Sequence, residues 1–178
     1  MQPKEGIIKR LYPVILLTIV ILTSVVLLSF TNSYAIGRID EQAKEQMRSQ
    51  LQAMFPDMTD FSSQNELYTV KAGGKTVGYA FIATGKGYGG AISILVGLQD
   101  ANTIKGISII SQSETKGLGS RVTLPNFTDK FTGKKIDDVK LKSEGGAIDG
   151  ITGSTISSKA VINAVRETAL QKVKQLPK

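Results

Sequence analysis

From Leu11 to Phe30 the chain carries no charged side chain. At about 1.5 Å per residue, this stretch spans roughly 30 Å as a helix, the thickness of a bilayer's hydrocarbon core. Lipid offers no partner to a backbone N–H, so such a run has one stable form in a membrane, an unbroken helix. Pro13 falls in its first turn, where a missing N–H is tolerated. Lys4, Lys9 and Arg10 precede the run, whereas Arg38, Asp40, Glu41 and Glu45 follow it. The positive-inside rule then keeps the N-terminus in the cytoplasm and puts everything after residue 30 outside the cell (inner) membrane. A cleavable signal peptide is the rival reading, with Ser33-Tyr34-Ala35 as its processing site. Signal peptides carry an apolar region of only about 7–15 residues, which favours a retained single-pass anchor.

The remainder, residues 31–178, is long enough for one compact domain with its own core. The chain has no cysteine and no histidine. That excludes disulfides, thiolate-ligated iron–sulfur clusters and a cysteine nucleophile, and it removes the usual zinc ligands, haem ligands and neutral-pH base. Any redox chemistry must therefore reside on an organic cofactor. Asp137-Asp138, the nearest thing to a catalytic carboxylate pair, sits in a charged, turn-like segment and reads as solvated surface. Without the anchor and its flank (Lys4, Glu5, Lys9 and Arg10), 19 basic side chains face 14 acidic ones. Lys130, Lys134, Lys135, Lys140 and Lys142 cluster, but Phe131 is the single aromatic among them. This is a solvated face, or one turned to anionic lipid or an acidic partner, and not a nucleic-acid surface.

Periodicity divides the rest. Ile36, Ile39, Ala43, Met47, Leu51 and Met54 recur at threes and fours, predicting a helix over Tyr34–Met54 that ends at Phe55-Pro56-Asp57. Strands are predicted at Glu66–Ala72, Thr76–Thr84, Ala91–Leu98 and Thr103–Ser111, with turns at Gly73-Gly74 and residues 99–102. The run from Gly85 to Gly90 is too rich in glycine for a regular strand and reads as a loop. A last helix is predicted from about Ser157 to Leu176, with Ile162, Val165, Ala169, Val173 and Leu176 along one stripe. The expected fold class is α+β. Its parts are a cytoplasmic N-terminus (1–10), a transmembrane helix (11–31), a linking helix (32–58) and one extracytoplasmic domain (59–178). That domain holds a mainly antiparallel sheet and a C-terminal packing helix.

Two stretches carry chemistry. Asp149-Gly150-Ile151-Thr152-Gly153-Ser154-Thr155 is a small, hydroxyl-bearing turn just before the final helix. Free N–H groups and the positive end of the helix dipole make such a place fit for a phosphate. The same residues are also what an ordinary helix start looks like, with Ser157 or Ser158 as N-cap. Upstream lies Ser113-Glu114-Thr115-Lys116-Gly117-Leu118-Gly119-Ser120, where two glycines flank a leucine. It is either a surface turn or a wall that lets backbone approach a flat ring.

The first stretch has the form Asp-x-x-(Ser/Thr)-Gly-(Ala/Ser)-Thr and resembles the flavinylation motif of the FMN-binding domain family, with Ser154 where alanine is commoner. The second resembles the Glu-Thr-Pro-Gly-Leu-Gly pocket loop of the same family, with Lys116 in place of proline. The resemblance implies FMN joined through its phosphate to Thr155 by a dedicated flavin transferase. It implies a binding site of Thr152, Gly153, Ser154 and Thr155 with Glu114, Thr115, Gly117, Leu118 and Gly119. It also makes Tyr88, in the glycine-rich loop, a candidate neighbour, and the alternative of a plain hairpin tip stays open. The linked phosphate would keep about one negative charge, worth roughly 0.3–1 kcal/mol at a helix N-terminus. Lys86, Lys116 and Lys159 are equal candidates to assist electrostatically.

Anchor, linking helix and a single FMN domain together resemble the G subunits of Rnf-type ion-translocating ferredoxin:NAD+ oxidoreductases. The related C subunits of sodium-translocating NADH:quinone reductases carry a longer outer domain. The resemblance implies an electron-transfer subunit whose partners are other integral membrane subunits, with catalysis belonging to the complex and no catalytic residue or metal in this chain. Two other readings use the same features. One is a free-standing, membrane-tethered FMN carrier for another respiratory or extracellular reductase chain. The other is a non-redox anchored structural subunit.

Overall fold

The computed structural model describes residues 4–176, with side chains at 11–30 and 44–176. Its contacts divide the chain into two units, residues 1–47 and 48–178. Helix α1 runs from Lys4 to Met54 without interruption, so no break in secondary structure separates the anchor from the linking segment. The Leu11–Phe30 stretch is long and apolar enough to cross a membrane, and none of it is buried against protein. Three of its hydroxyls bond within the helix: Thr18 donates to the Val14 carbonyl (2.8 Å), Thr23 to that of Ile19 (3.0 Å) and Ser24 to that of Val20 (2.8 Å). Hydroxyls returned to the backbone in this way are not left bare to lipid. Ile36, Ile39 and Ala43 of the expected stripe have side chains outside the described residues.

The second unit is built on five antiparallel strands in chain order: β1 (Asp60–Gln64), β2 (Leu67–Ala72), β3 (Lys75–Lys86), β4 (Ala91–Leu98) and β5 (Ile104–Ser111). Strand β1 is additional to the predicted set, because Asp-Phe-Ser-Ser-Gln shows no apolar alternation; it is an exposed edge. Glu66 does not open a strand, contrary to expectation. Asn65 and Glu66 both have positive φ (51° and 60°) and form the two-residue turn that joins β1 to β2. Strand β3 also outruns its expected end, with Gly85 paired to Ile92 and Lys86 to Ala91. A Cβ on Gly85 would collide with the Ala160 main chain and come within 3.2 Å of the Ala164 Cβ. This glycine admits a helix onto the strand; it does not end the strand.

Between the sheet and the last helix, the chain makes four short 3-10 turns (Gly119–Thr123, Asp129–Phe131, Ile136–Asp138 and Lys142–Glu144) around a single-turn helix α2 (Pro125–Thr128). The segment nonetheless buries Val122, Phe127, Phe131, Ile136, Val139, Leu141 and Ile148 in the main core. Phe127 and Phe131 meet edge to face at 5.5 Å, an arrangement worth about 0.5–1.5 kcal/mol beyond burial. Helix α3 (Thr155–Val173) lays Val161, Ile162, Val165 and Ala169 into the same core, with Phe81, Ala83, Ile94 and Val96 of the sheet. On the other sheet face Met54 and Phe55 lie over Gly97 and Gly78, and Leu51, Val70, Ala80 and Leu95 are buried. The close approach of α3 to β3 at Gly85 positions the first turns of α3.

Candidate functional site

Helix α3 begins at Thr155, two residues ahead of the expected start, with Ser154 in the N-cap position. Ser157 and Ser158, expected as caps, are buried inside its first turn. Ser158 instead accepts the Ile151 N–H on its hydroxyl (2.9 Å), and the Ser154 N–H donates to the Ile151 carbonyl (2.9 Å). These two bonds fold the turn back onto the helix. Gly153 supplies the positive φ (79°) that the turn needs. Thr152 and Thr155 are left exposed. No side chain caps the helix, and the Ser154 hydroxyl has no partner among the described residues although Ser154 is only 6% exposed. An uncapped first turn and an unpaired buried hydroxyl together leave donors for an anion.

Exposed charges brace this turn from outside. Lys142 pairs with the Asp149 carboxylate at 2.7 Å, and Lys130 donates to the Asp149 carbonyl at 3.0 Å. The Lys142 hydrogen bond outweighs desolvation and, with the charges of Lys142 and Lys130, holds the Asp149 carboxyl below its ordinary range. Lys159 is ion-paired with Glu144 at 2.6 Å, which sets it apart from Lys86 and Lys116 as a cation for a bound phosphate.

The facing wall is organised around Glu114, which is only 7% exposed. Its Oε1 accepts the Gly89 N–H at 2.8 Å, and its Oε2 accepts the Ser157 hydroxyl. Burial pushes the carboxyl's pKa up. The Ser157 hydroxyl and the N–H groups of Gly89, Tyr88 and Gly90 more than offset that, and hold it below the usual range. Glycines crowd the carboxylate: a Cβ on Gly119 would lie 2.5 Å from Oε2 and 2.6 Å from the Ser157 hydroxyl. A Cβ on Gly87 would lie 2.8 Å from the Glu114 Cδ. Gly117 has positive φ (77°), and its N–H donates to the Ser120 hydroxyl at 3.0 Å. Across from this loop the Gly87 N–H donates to the Gly90 carbonyl (2.8 Å), closing a tight tip that carries Tyr88 75% exposed.

The two stretches, about forty residues apart in sequence, thus line one cleft of about 630 Å3. Glu114, Thr115, Leu118 and Gly119 stand on one side, and Gly153, Ser154 and Thr155 on the other. Thr152 and Gly117 lie in the same turn and loop without lining it. Tyr88 lines the cleft too, as do Ile156 and Ser157, to which the sequence alone assigns no place in it. The signal for Ile156 is a large apolar residue in the first turn that stays 56% exposed. The volume falls in the range of small-molecule sites. Exposed Tyr88, Leu118 and Ile156 suit a flat aromatic ring, whereas the Ser154 hydroxyl and the uncapped amides suit a phosphate, so the residues present fit FMN.

Residues 87–170 match the FMN-binding domain family. The G subunit of the proton-translocating ferredoxin:NAD(+) oxidoreductase complex of Clostridium ljungdahlii is 39% identical over 62% of this chain, and the match spans 61% of that relative's length. The G subunit of the ion-translocating oxidoreductase complex of Methanosarcina acetivorans is 30% identical over 85% of this chain and 89% of its own. Among solved structures, the C subunit of the Na(+)-translocating NADH-quinone reductase from Parabacteroides distasonis is similar, with a TM-score of 0.52 and 27% identity over 63% of each chain. The chain belongs to the family of G subunits of ion-translocating oxidoreductase complexes.

Proposed function

We propose that this chain is the flavin-carrying electron relay of a membrane-bound, ion-translocating ferredoxin:NAD+ oxidoreductase of the Rnf type, with FMN ester-linked through its phosphate to Thr155. The observation that carries the reading is the single cleft in which exposed Thr155, the unpaired Ser154 hydroxyl and the uncapped start of α3 face the Glu114–Gly119 loop. Bound FMN would supply the one- and two-electron chemistry that a chain without cysteine or histidine lacks.

The chain's own residues supply the rest. Thr155 offers a solvent-facing hydroxyl at the first helical position. In maturation the Thr155 Oγ would take the FMN phosphate from a flavin dinucleotide, whose phosphoanhydride bond would break, and the hydroxyl proton would leave with the displaced nucleoside monophosphate. A flavin transferase catalyses that step. Ser154 and the first amides of α3 would hold the remaining charge of the linked phosphate, and Tyr88, Leu118 and Ile156 would shield the ring. Thr152 and Gly117 set the turn and loop that carry these groups. Covalent attachment matters if the domain, taken as residues 59–178, lies outside the cytoplasm, where a dissociated flavin would be diluted away. The excess of Lys and Arg before residue 11 supports that orientation. The electron partners are then other integral membrane subunits.

The test is purification of the tagged chain from its native membrane in mild detergent. The reading expects co-purifying membrane subunits and a flavin spectrum that bleaches when reduced ferredoxin or NADH is added. A chain that purifies alone with flavin attached would favour the free-standing carrier. A chain with no flavin absorbance would leave only the non-redox structural role.

A further inference from the structure

Glu114 is the one buried charged residue among the described residues, and it touches three segments at once. It sits in the loop after β5, its Oε1 takes the Gly89 N–H from the β3–β4 tip, and its Oε2 takes the Ser157 hydroxyl from the first turn of α3. Glycines at 87, 89 and 119 let these backbones close on it. A Cβ on Gly89 would strike the Ser113 carbonyl and lie 3.1 Å from the Glu114 Cα. Nothing in the sequence pairs it with a cation, and its cohesion comes from neutral donors. The titratable side chains on the surrounding segments are Lys86 and Tyr88 on the β3–β4 side, Lys116 and Arg121 beside its own loop, and Lys159 on α3. Among the described residues none is hydrogen-bonded or ion-paired to the carboxylate, and Lys159 is tied to Glu144.

We infer that Glu114 is the positioning residue of the cleft: its ionised carboxylate latches the Gly87–Gly90 tip to the first turn of α3, so that Tyr88 and Thr155 are presented together. It acts through Gly89 and Ser157, not on the bound group. Protonation removes acceptor capacity from a site that donates two hydrogen bonds into it, so acid undoes the latch. Glutamine keeps the shape and part of the bonding, since its oxygen can accept from Gly89 and its amide can donate to the Ser157 hydroxyl. Alanine loses both bonds and leaves the Gly89 N–H without its partner.

The test uses the full chain in detergent, before and after flavin attachment, and reads backbone amides by NMR together with the fraction of chain carrying flavin. In the parent, the Gly89 amide proton shifts with pH as Glu114 titrates below the usual carboxylate range. In Glu114→Gln that titration is absent. In Glu114→Ala and in Ser157→Ala, Gly89 exchange rises about tenfold or more, as loss of a charge-assisted hydrogen bond gives. Flavin loading falls with it, and Glu114→Gln recovers most of both losses at neutral pH. The inference is overturned if Gly89 does not titrate, or if its protection is the same in Glu114→Ala as in the parent. It is also overturned if Gln and Ala lose loading equally while Gly89 stays protected, which would make the carboxylate a direct contact of the flavin or the transferase. The loading arm rests on Thr155 as acceptor. A parent that never takes up flavin would count against that reading, and the Gly89 titration would still judge the latch.

Discussion

The two walls of the cleft are held by opposite means. The turn that carries Thr155 is braced by ion pairs in water, Lys142–Asp149 and Lys159–Glu144, whose side chains are all more than 40% exposed. The facing loop is held by a buried carboxylate among glycines, with no cation. Exposed pairs are screened and contribute little, whereas a buried anion bound by several donors is costly to disturb. The Thr155 turn can therefore adjust to a ligand, while the loop wall sets the shape to which it adjusts.

That contrast can be broken by substitution, and the largest effect falls beneath both walls. Gly85→Ala drives a methyl into the Ala160 main chain, so α3 must lift from β3 and take its N-terminus along. Overpacking of this kind costs about 1–3 kcal/mol. A clash with backbone belongs at the upper end, visible as a lower thermal midpoint. Gly119→Ala is next: its methyl would lie within 2.6 Å of the Glu114 and Ser157 side chains. Those side chains can give, so the expected loss of about 1–2 kcal/mol should come with raised amide exchange confined to the cleft. Salt separates the walls further, because 1 M salt cuts the screening length to about 3 Å. Under it, protection of Ile151 and Ser154 should fall slightly while that of Gly89 stays unchanged. Equal loss on both sides would contradict the contrast. Lys142→Ala should have the smallest effect, leaving the thermal midpoint within scatter and moving only the Asp149 carboxyl back up.

Acid should act in the order opposite to salt. Glu114 and Asp149 both have folded-state carboxyls below their ordinary values. Their stabilisation is therefore present above the unfolded carboxylate pKa of about 4 and is lost as pH falls through the folded values. Melting curves should be flat from neutrality down to about pH 5 and then drop, and Glu114→Gln should remove part of the drop.

How much of this is legible in the sequence follows from what each residue contacts. Strand β4 is buried on both faces and reads as a short apolar run, and the helical stripe at Ile162, Val165 and Ala169 faces one core, so run and threes-and-fours locate them. The two motif stretches are legible because their glycines and hydroxyls stand out locally, and residues of both line one cleft. The segment 119–149 is not legible. Its buried residues Val122, Phe127, Phe131 and Leu141 sit on short turns with no repeating period, each placed by the sheet beneath it. Gly85 misleads for a related reason, since a glycine demanded by a helix packed above it looks in sequence like one that breaks a strand. Ser157 reads as a cap because its partner, Glu114, is forty-three positions away.

The most direct test of the central claim is the intact mass of the denatured protein from its native membrane, set beside a Thr155→Ala version from the same cells. The account predicts an increment equal to one FMN less one water in the first and none in the second. An unmodified mass in both, or an increment that survives the substitution, would contradict it.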